Sequence, residues 1–181
     1  MSENSATADV AVPDSAVSNA FRLNNGDRFP DLTARLVGGG TLPLPGDLAG
    51  SWGVVLFNRG HWCPFCRTQL RDFERQLDQL GKVGGRVVSL SVDNETDATA
   101  EVAEDSLTFP VAYGIDPAHM AATVGSYLSD GSDGHPVYTQ ATGFILAPDG
   151  TVAVAVYSSS AIGRLTAPDA VGLIKYATSH S

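Results

Sequence analysis

Residues 54–66 read Val54-Val55-Leu56-Phe57-Asn58-Arg59-Gly60-His61-Trp62-Cys63-Pro64-Phe65-Cys66, and this run decides the fold. Its first four residues are a short apolar stretch bounded by turn-formers, which fits a buried strand. From residue 64 to 80 the pattern becomes helical. Leu70, Phe73, Leu77 and Leu80 recur at spacings of 3, 4 and 3 and form one apolar stripe, while Arg67, Arg71, Asp72, Arg75 and Asp78 fall on other faces. Pro64 suits the first helical turn and Gly81 the stop. The two cysteines therefore sit where a strand feeds a helix, Cys63 near the cap and Cys66 one turn in.

Outward from this unit the order of elements continues. Residues 86–92, with Val87, Val88, Leu90 and Val92, predict a second buried strand, and the Ala-rich acidic stretch 96–105 a surface helix. Residues 109–113 are extended, 117–124 a short helix ended by Gly125, and 129–136 a loop. Residues 142–147 and 151–157 predict a hairpin around Pro148-Asp149-Gly150. Thr166-Ala167-Pro168-Asp169 resembles a capping box opening a last helix to about residue 176. Upstream, Gly38-Gly39-Gly40 reads as a turn between short extended pieces. Leu42-Pro43-Leu44-Pro45 is excluded from a central strand because proline lacks a ladder donor. Alternating strands and helices imply an α/β fold with a central sheet flanked by helices, and the hairpin makes that sheet mixed. Residues 1–18 show no period and are read as a flexible tail, leaving 19–181 as one domain.

Composition narrows the function classes. The 181 residues carry 11 Lys+Arg against 20 Asp+Glu, a formal charge of -9, and no basic cluster of the kind a nucleic-acid binder shows. No apolar run approaches the roughly 20 residues that span a bilayer, and the first residues lack the pattern of a secretory signal. A cytoplasmic location is the expectation. Two cysteines exclude both a disulfide framework and a four-cysteine zinc site within the chain.

A Cys-x-x-Cys pair at the start of a helix in such a unit points to thiol redox chemistry. The thiolate is the reactive form, and a free cysteine has a pKa of about 8.5. A helix N-terminus presents roughly half a positive charge and unpaired N–H groups, so Cys63 is the expected nucleophile. Cys66, one turn deeper, is the expected resolving partner. Arg59, the one Lys or Arg between Trp52 and Cys66, is a candidate for stabilising the thiolate, and His61 a candidate base. Trp62 and Phe65, with His61, are candidates to wall a substrate site. Other uses of the pair are a redox sensor, or metal binding through zinc shared between chains or copper with His119 or His135. The expected site holds neither metal nor cofactor.

These residues resemble the thioredoxin superfamily, and within it the AhpC/TSA peroxiredoxin-like proteins. Trp62-Cys63-Pro64-Phe65-Cys66-Arg67 is similar to the thioredoxin W-C-x-x-C-[KR] motif. Gly26-Asp27-Arg28-Phe29-Pro30-Asp31-Leu32 looks like the peroxiredoxin entry segment. The run 48–57 looks like the strand before the active site, and Phe109-Pro110-Val111 with Asp116 and Gly143-Phe144-Ile145-Leu146 with Asp149-Gly150 look like later family segments. The resemblance covers residues 21 to 177. It implies a thioredoxin-like fold with a peroxiredoxin-like N-terminal extension. It also implies a thiol peroxidase in which Cys63 attacks a hydroperoxide, Cys66 closes a disulfide, and an external thiol reductant reopens it. A thioredoxin-like disulfide oxidoreductase using the same pair, acting on a disulfide substrate, is the alternative, and a homodimer is an expected assembly. Three family positions differ. The usual Thr before the peroxidatic cysteine is Gly60, the Glu after it is Cys66, and the Arg before the late strand is replaced within Thr139-Gln140-Ala141-Thr142. Arg59 or Arg164 would have to substitute.

Overall fold

The computed structural model describes residues 21–180, so the expected tail over 1–18 lies outside the described residues. The chain forms strands β1 (Leu32–Leu36), β2 (Thr41–Leu44) and β3 (Trp52–Phe57), then helices α1 (Pro64–Arg75) and α2 (Leu77–Lys82). β4 (Gly85–Leu90), α3 (Glu95–Asp105), β5 (Val111–Tyr113) and α4 (Pro117–Thr123) follow. The hairpin β6 (Thr142–Leu146) and β7 (Val152–Tyr157) precedes the last helix, α5 (Ala167–Ser179). The seven strands make one sheet in the order β2-β1-β5-β4-β3-β6-β7. β3, β4 and β5 run parallel, and the other pairings are antiparallel, so the sheet is mixed as expected.

Strand alternation divides the core between two faces. Val55, Phe57, Val88, Leu90 and Phe144 point to one side, where they meet Phe29 and Leu42. Val54, Leu56, Val87 and Ile145 point to the other, where Leu70 and Phe73 of α1 and Ile174 of α5 cover them. Phe144 is fully buried and meets Phe29, Phe57 and Tyr157 edge-on at centroid distances of 5.3, 6.1 and 5.7 Å. Phe144→Ala removes the centre of this aromatic group. It is expected to cost about 3–5 kcal/mol, seen as a lower urea midpoint with an unchanged slope.

The single helix expected over 64–80 is two. Gln76 leaves helical geometry (φ -102°, ψ 4°), and its N–H bonds back three residues to Phe73 O at 3.0 Å. That tighter bond ends α1, and the chain restarts as α2 in a direction that lays Leu80 on Gly85. A Cβ at Gly85 would stand 2.6 Å from Leu80 Cδ1, so the glycine admits this contact. Pro43 lies in β2, at the sheet edge, where the missing N–H costs no ladder bond. The hairpin forms around Gly150 (φ +83°), with Gly150 N–H donating to Ala147 O and Ala147 N–H to Thr151 O.

Candidate active site

The site stands at the C-terminal end of β3, where the chain turns into α1. Gly60 holds φ at +141°, and a Cβ there would lie 2.7 Å from Trp62 Nε1 and 2.9 Å from Asp93 Oδ1. Only glycine lets this turn close beneath Trp62. Asp93 secures it from below, its carboxylate accepting the His61 N–H at 2.9 Å and the Ser91 hydroxyl at 2.8 Å. Cys63 then occupies the N-cap of α1 in extended geometry, and Pro64 opens the first turn.

Both cysteines are free thiols and fully buried. The Cys63 sulfur accepts the Cys66 N–H at 3.4 Å, an N-cap bond made by sulfur in place of oxygen. Two guanidinium groups converge on it: Arg59 Nη1 at 3.8 Å and Arg164 Nη2 at 3.6 Å. Arg164 Nη2 also reaches the Cys66 sulfur at 3.3 Å, and the Arg59 N–H donates to that sulfur at 3.2 Å. The Cys63 pKa is pulled down to about 5, first by the hydrogen bond from the Cys66 thiol. The Cys66 backbone N–H and the charges of Arg164 and Arg59 add to this, against the opposing pull of burial. Burial pushes Cys66 the other way, reinforced by its bond to Cys63. The environment thus splits a chemically identical pair into a thiolate and a thiol.

Each arginine is itself held in place. Arg59 Nη2 donates to the Tyr138 hydroxyl at 2.6 Å, and that hydroxyl donates to Asp133 at 2.6 Å. The guanidinium also lies 4.9 Å from the Trp62 ring centroid and 5.0 Å from that of Tyr138. Arg164 reaches the site because the segment after β7 crosses close over β6. A Cβ on Gly143 would stand 2.9 Å from Leu165 Cβ. Its Nε then donates to Ala161 O at 3.0 Å and its Nη1 to Gln69 Oε1 at 3.1 Å, while Gln69 Nε2 donates to Leu165 O at 2.7 Å.

Of the residues singled out from sequence, Cys63, Cys66 and Arg59 are brought together in the structure. Trp62 packs over Arg59 and stacks on His135, ring centroids 3.7 Å apart and planes 9° apart. Phe65 is half exposed and lines a groove of about 320 Å³ with Gln69, Ile162, Arg164 and Leu165. The His61 ring is engaged by Glu104 on α3 at 3.2 Å, and among the described residues neither sulfur is its partner. Tyr138 and Asp133 are not among the residues that the sequence singles out; there His135 stands only as a copper ligand and Arg164 only as a distant substitute. A signal for it was present, since it is the one Lys or Arg between Arg86 and Lys175.

The chain is similar to known proteins over most of its described length. The model of the AhpC/TSA family matches residues 25–155. A peroxiredoxin of Chlorobaculum tepidum is 28% identical over 145 residues, which are 77% of this chain and 65% of that protein. Alkyl hydroperoxide reductase C of Staphylococcus aureus is 29% identical over 120 residues, 65% of this chain and 61% of that protein. The chain thus spans just under two thirds of the length of these relatives. Among solved structures, Mycobacterium tuberculosis AhpC superposes with a TM-score of 0.74 at 18% identity, covering 88% of this chain and 96% of that one. A variant of peroxiredoxin 6 from Arenicola marina superposes with a TM-score of 0.71 at 19% identity, covering 86% and 74%. These likenesses establish the thioredoxin-like fold of the peroxiredoxin type.

Proposed function

The chain belongs to the AhpC/TSA family, and from that premise we propose that it is a thiol-dependent peroxidase with Cys63 as nucleophile and Cys66 as resolving residue. The observation that carries this reading is the convergence of Arg59 and Arg164 on the Cys63 sulfur, at 3.8 and 3.6 Å. Two fixed cations beside a thiolate do two things. They hold the attacking sulfur ionised, and they face the charge that develops on the departing oxygen. They supply what the missing family Thr and Arg would have supplied.

In the reaction the Cys63 thiolate attacks the terminal oxygen of a hydroperoxide. An S–O bond forms and the O–O bond breaks. The electron pair leaves on the alkoxide, which takes a proton to become the alcohol, and Cys63 becomes a sulfenic acid. Cys66 then displaces hydroxide, giving a Cys63–Cys66 disulfide and water. A dithiol reductant reopens that disulfide by exchange. Phe65 and Trp62 wall the approach. His61 is assigned to the same rim, its ring turned toward Glu104. The partners of this reading are a hydroperoxide and a thiol reductant. A homodimer is part of it too, since β7 is an apolar strand at the edge of the sheet. Among the described residues no helix is long and apolar enough to cross a membrane.

The disulfide-exchange alternative uses the same pair, and one assay separates the two. With hydrogen peroxide and dithiothreitol, peroxide consumption is expected to be fast and to follow ionisation of Cys63. Attack needs the thiolate, so the rate falls as pH drops through about 5 and is level above it, where a free thiol would still be gaining up to about pH 8.5. Consumption no faster than dithiothreitol alone gives would refute the peroxidase and leave disulfide exchange.

A further inference from the structure

Beneath the cysteine pair lies a group of buried polar side chains that the mechanism above does not use. Asn58 follows β3, Ser89 lies in β4 and Glu101 in α3, and all three are fully buried. Among the described residues, neither amide atom of Asn58, nor the Ser89 hydroxyl, nor either Glu101 carboxyl oxygen has a hydrogen-bond partner. Buried polar atoms are nearly always paired, and five orphans in one region call for an explanation.

Register and helix geometry place them together. Ser89 pairs with Leu56 and shares its face of the sheet, the face that α1 covers. Asn58 stands two residues beyond Leu56, on that same face by alternation. Its neighbour Arg59 gives its N–H to the Cys66 sulfur. On the helix side, Arg67 Nε and Nη2 grip Asp105 at 2.8 and 2.7 Å, joining α1 to α3. Both helices return from parallel strands, so they run in the same direction. One turn back from Arg67 is Cys63, and one turn back from Asp105 is Glu101. Glu101 thus comes level with Cys63, near enough for their charges to interact. The charged groups around it are Asp93, Asp105, Arg67 and Cys63. Burial first, then Asp93 and Asp105, push its pKa up to about 8.

Cys66 has a proton to lose and no solvent beside it. Closing the disulfide requires a thiolate-like sulfur, and burial holds this one as a thiol. We propose that Glu101 accepts the Cys66 proton as the disulfide closes and hands it on to the departing group, with Asn58 and Ser89 as the polar path between Cys66 and Glu101. The inference rests on the peroxidase reading only for the identity of the leaving group. In that cycle the Cys66 sulfur bonds to Cys63 and the S–O bond breaks with its electron pair leaving on hydroxide. The proton passes from Cys66 to the Glu101 carboxylate and on to the hydroxide as water. Glu101 ends as it began, a positioning and proton-exchange residue that does not touch the peroxide.

The test contains no peroxide. The reduced protein is mixed with dithionitrobenzoate, and thionitrobenzoate release is followed by absorbance. In the first phase Cys63 attacks the reagent and keeps one thionitrobenzoate as a mixed disulfide. In the second, Cys66 loses its proton to Glu101, bonds to Cys63 and expels the remaining thionitrobenzoate anion. In the unaltered protein the second phase is expected to rise with pH to about 8 and then level. Glu101→Gln, the same shape without a titrating group, should leave the first phase alone, slow the second about 100-fold, and remove that inflection. Glu101→Asp should restore a pH-dependent second phase. A second phase of unchanged rate and profile in Glu101→Gln overturns the proposal, as does a loss shared equally by both phases. Should Glu101→Gln fail to fold, an inflection in Glu101→Asp identical to that of the unaltered protein overturns it as well. Normal phases here from a chain that consumes no peroxide would refute the peroxidase and leave the role of Glu101 standing.

Discussion

Cys63→Ser is expected to abolish peroxide consumption outright, while Cys66→Ser completes one attack and stops. The hydroxyl of a serine at 63 stays protonated beside the same two arginines, since no tuning of the size seen here brings an alcohol near neutral pH. The site then has no nucleophile. Cys66→Ser leaves the cations and the helix N-terminus facing Cys63, and so keeps the first chemical step. It removes the group that condenses with the sulfenic acid. Mass spectrometry of that variant after one equivalent of peroxide should find the added oxygen on Cys63. The first bond-making step should be slower than in the unaltered protein. The largest single cause of the low Cys63 pKa is the hydrogen bond from the Cys66 thiol, and a serine hydroxyl replaces it imperfectly. Oxygen found on Cys66 in Cys63→Ser, with none on Cys63 in Cys66→Ser, would reverse the assigned roles.

Arg164→Met should lower the rate constant for peroxide attack by about 100-fold or more, the usual cost of one fixed donor facing developing charge. It should also raise the pKa of Cys63. The long apolar chain keeps most of the packing, while the charge that lies 3.6 Å from Cys63 and 3.3 Å from Cys66 is lost. Arg164→Lys is expected to recover only part of the rate. An ammonium restores the charge but cannot donate to Gln69, Ala161 and the sulfurs at once. Thiolate absorbance against pH, set beside peroxide kinetics, reads both effects. Arg164→Met with unchanged titration and rate would leave Arg59 alone as the activating cation.

Arg164 also marks where the sequence ceases to be readable. The strands β3 and β4 are visible as Val54–Phe57 and Val87–Leu90 because both lie in the parallel centre of the sheet, buried on two sides. Such strands appear as near-continuous apolar runs, interrupted in β4 by Ser89. The hairpin is visible because Pro148-Asp149-Gly150 is a local signal. The cysteine pair is visible because a cap, a proline and a period of 3.6 lie side by side. The break at Gln76 has no such signature, since the stripe of Leu70, Phe73, Leu77 and Leu80 continues through it. Arg164 enters the site from 101 residues away, through a crossing that depends on Gly143 meeting Leu165. Tyr138, Asp133 and His135 come from a loop whose Asp and Gly residues read only as turn-formers. Glu101 looks like one more acid on a surface helix, and only tertiary packing turns it inward.

The most direct test of the account is stopped-flow fluorescence of the reduced protein mixed with hydrogen peroxide. Trp62 adjoins Cys63 and packs over Arg59, so it reports oxidation of the sulfur. The account predicts a concentration-dependent first phase orders of magnitude faster than a free cysteine thiolate, level above about pH 5. A slower, concentration-independent phase for disulfide closure should follow. A first phase no faster than a free thiolate would contradict it, and would make Cys63 and Cys66 a disulfide-exchange centre on a peroxiredoxin frame.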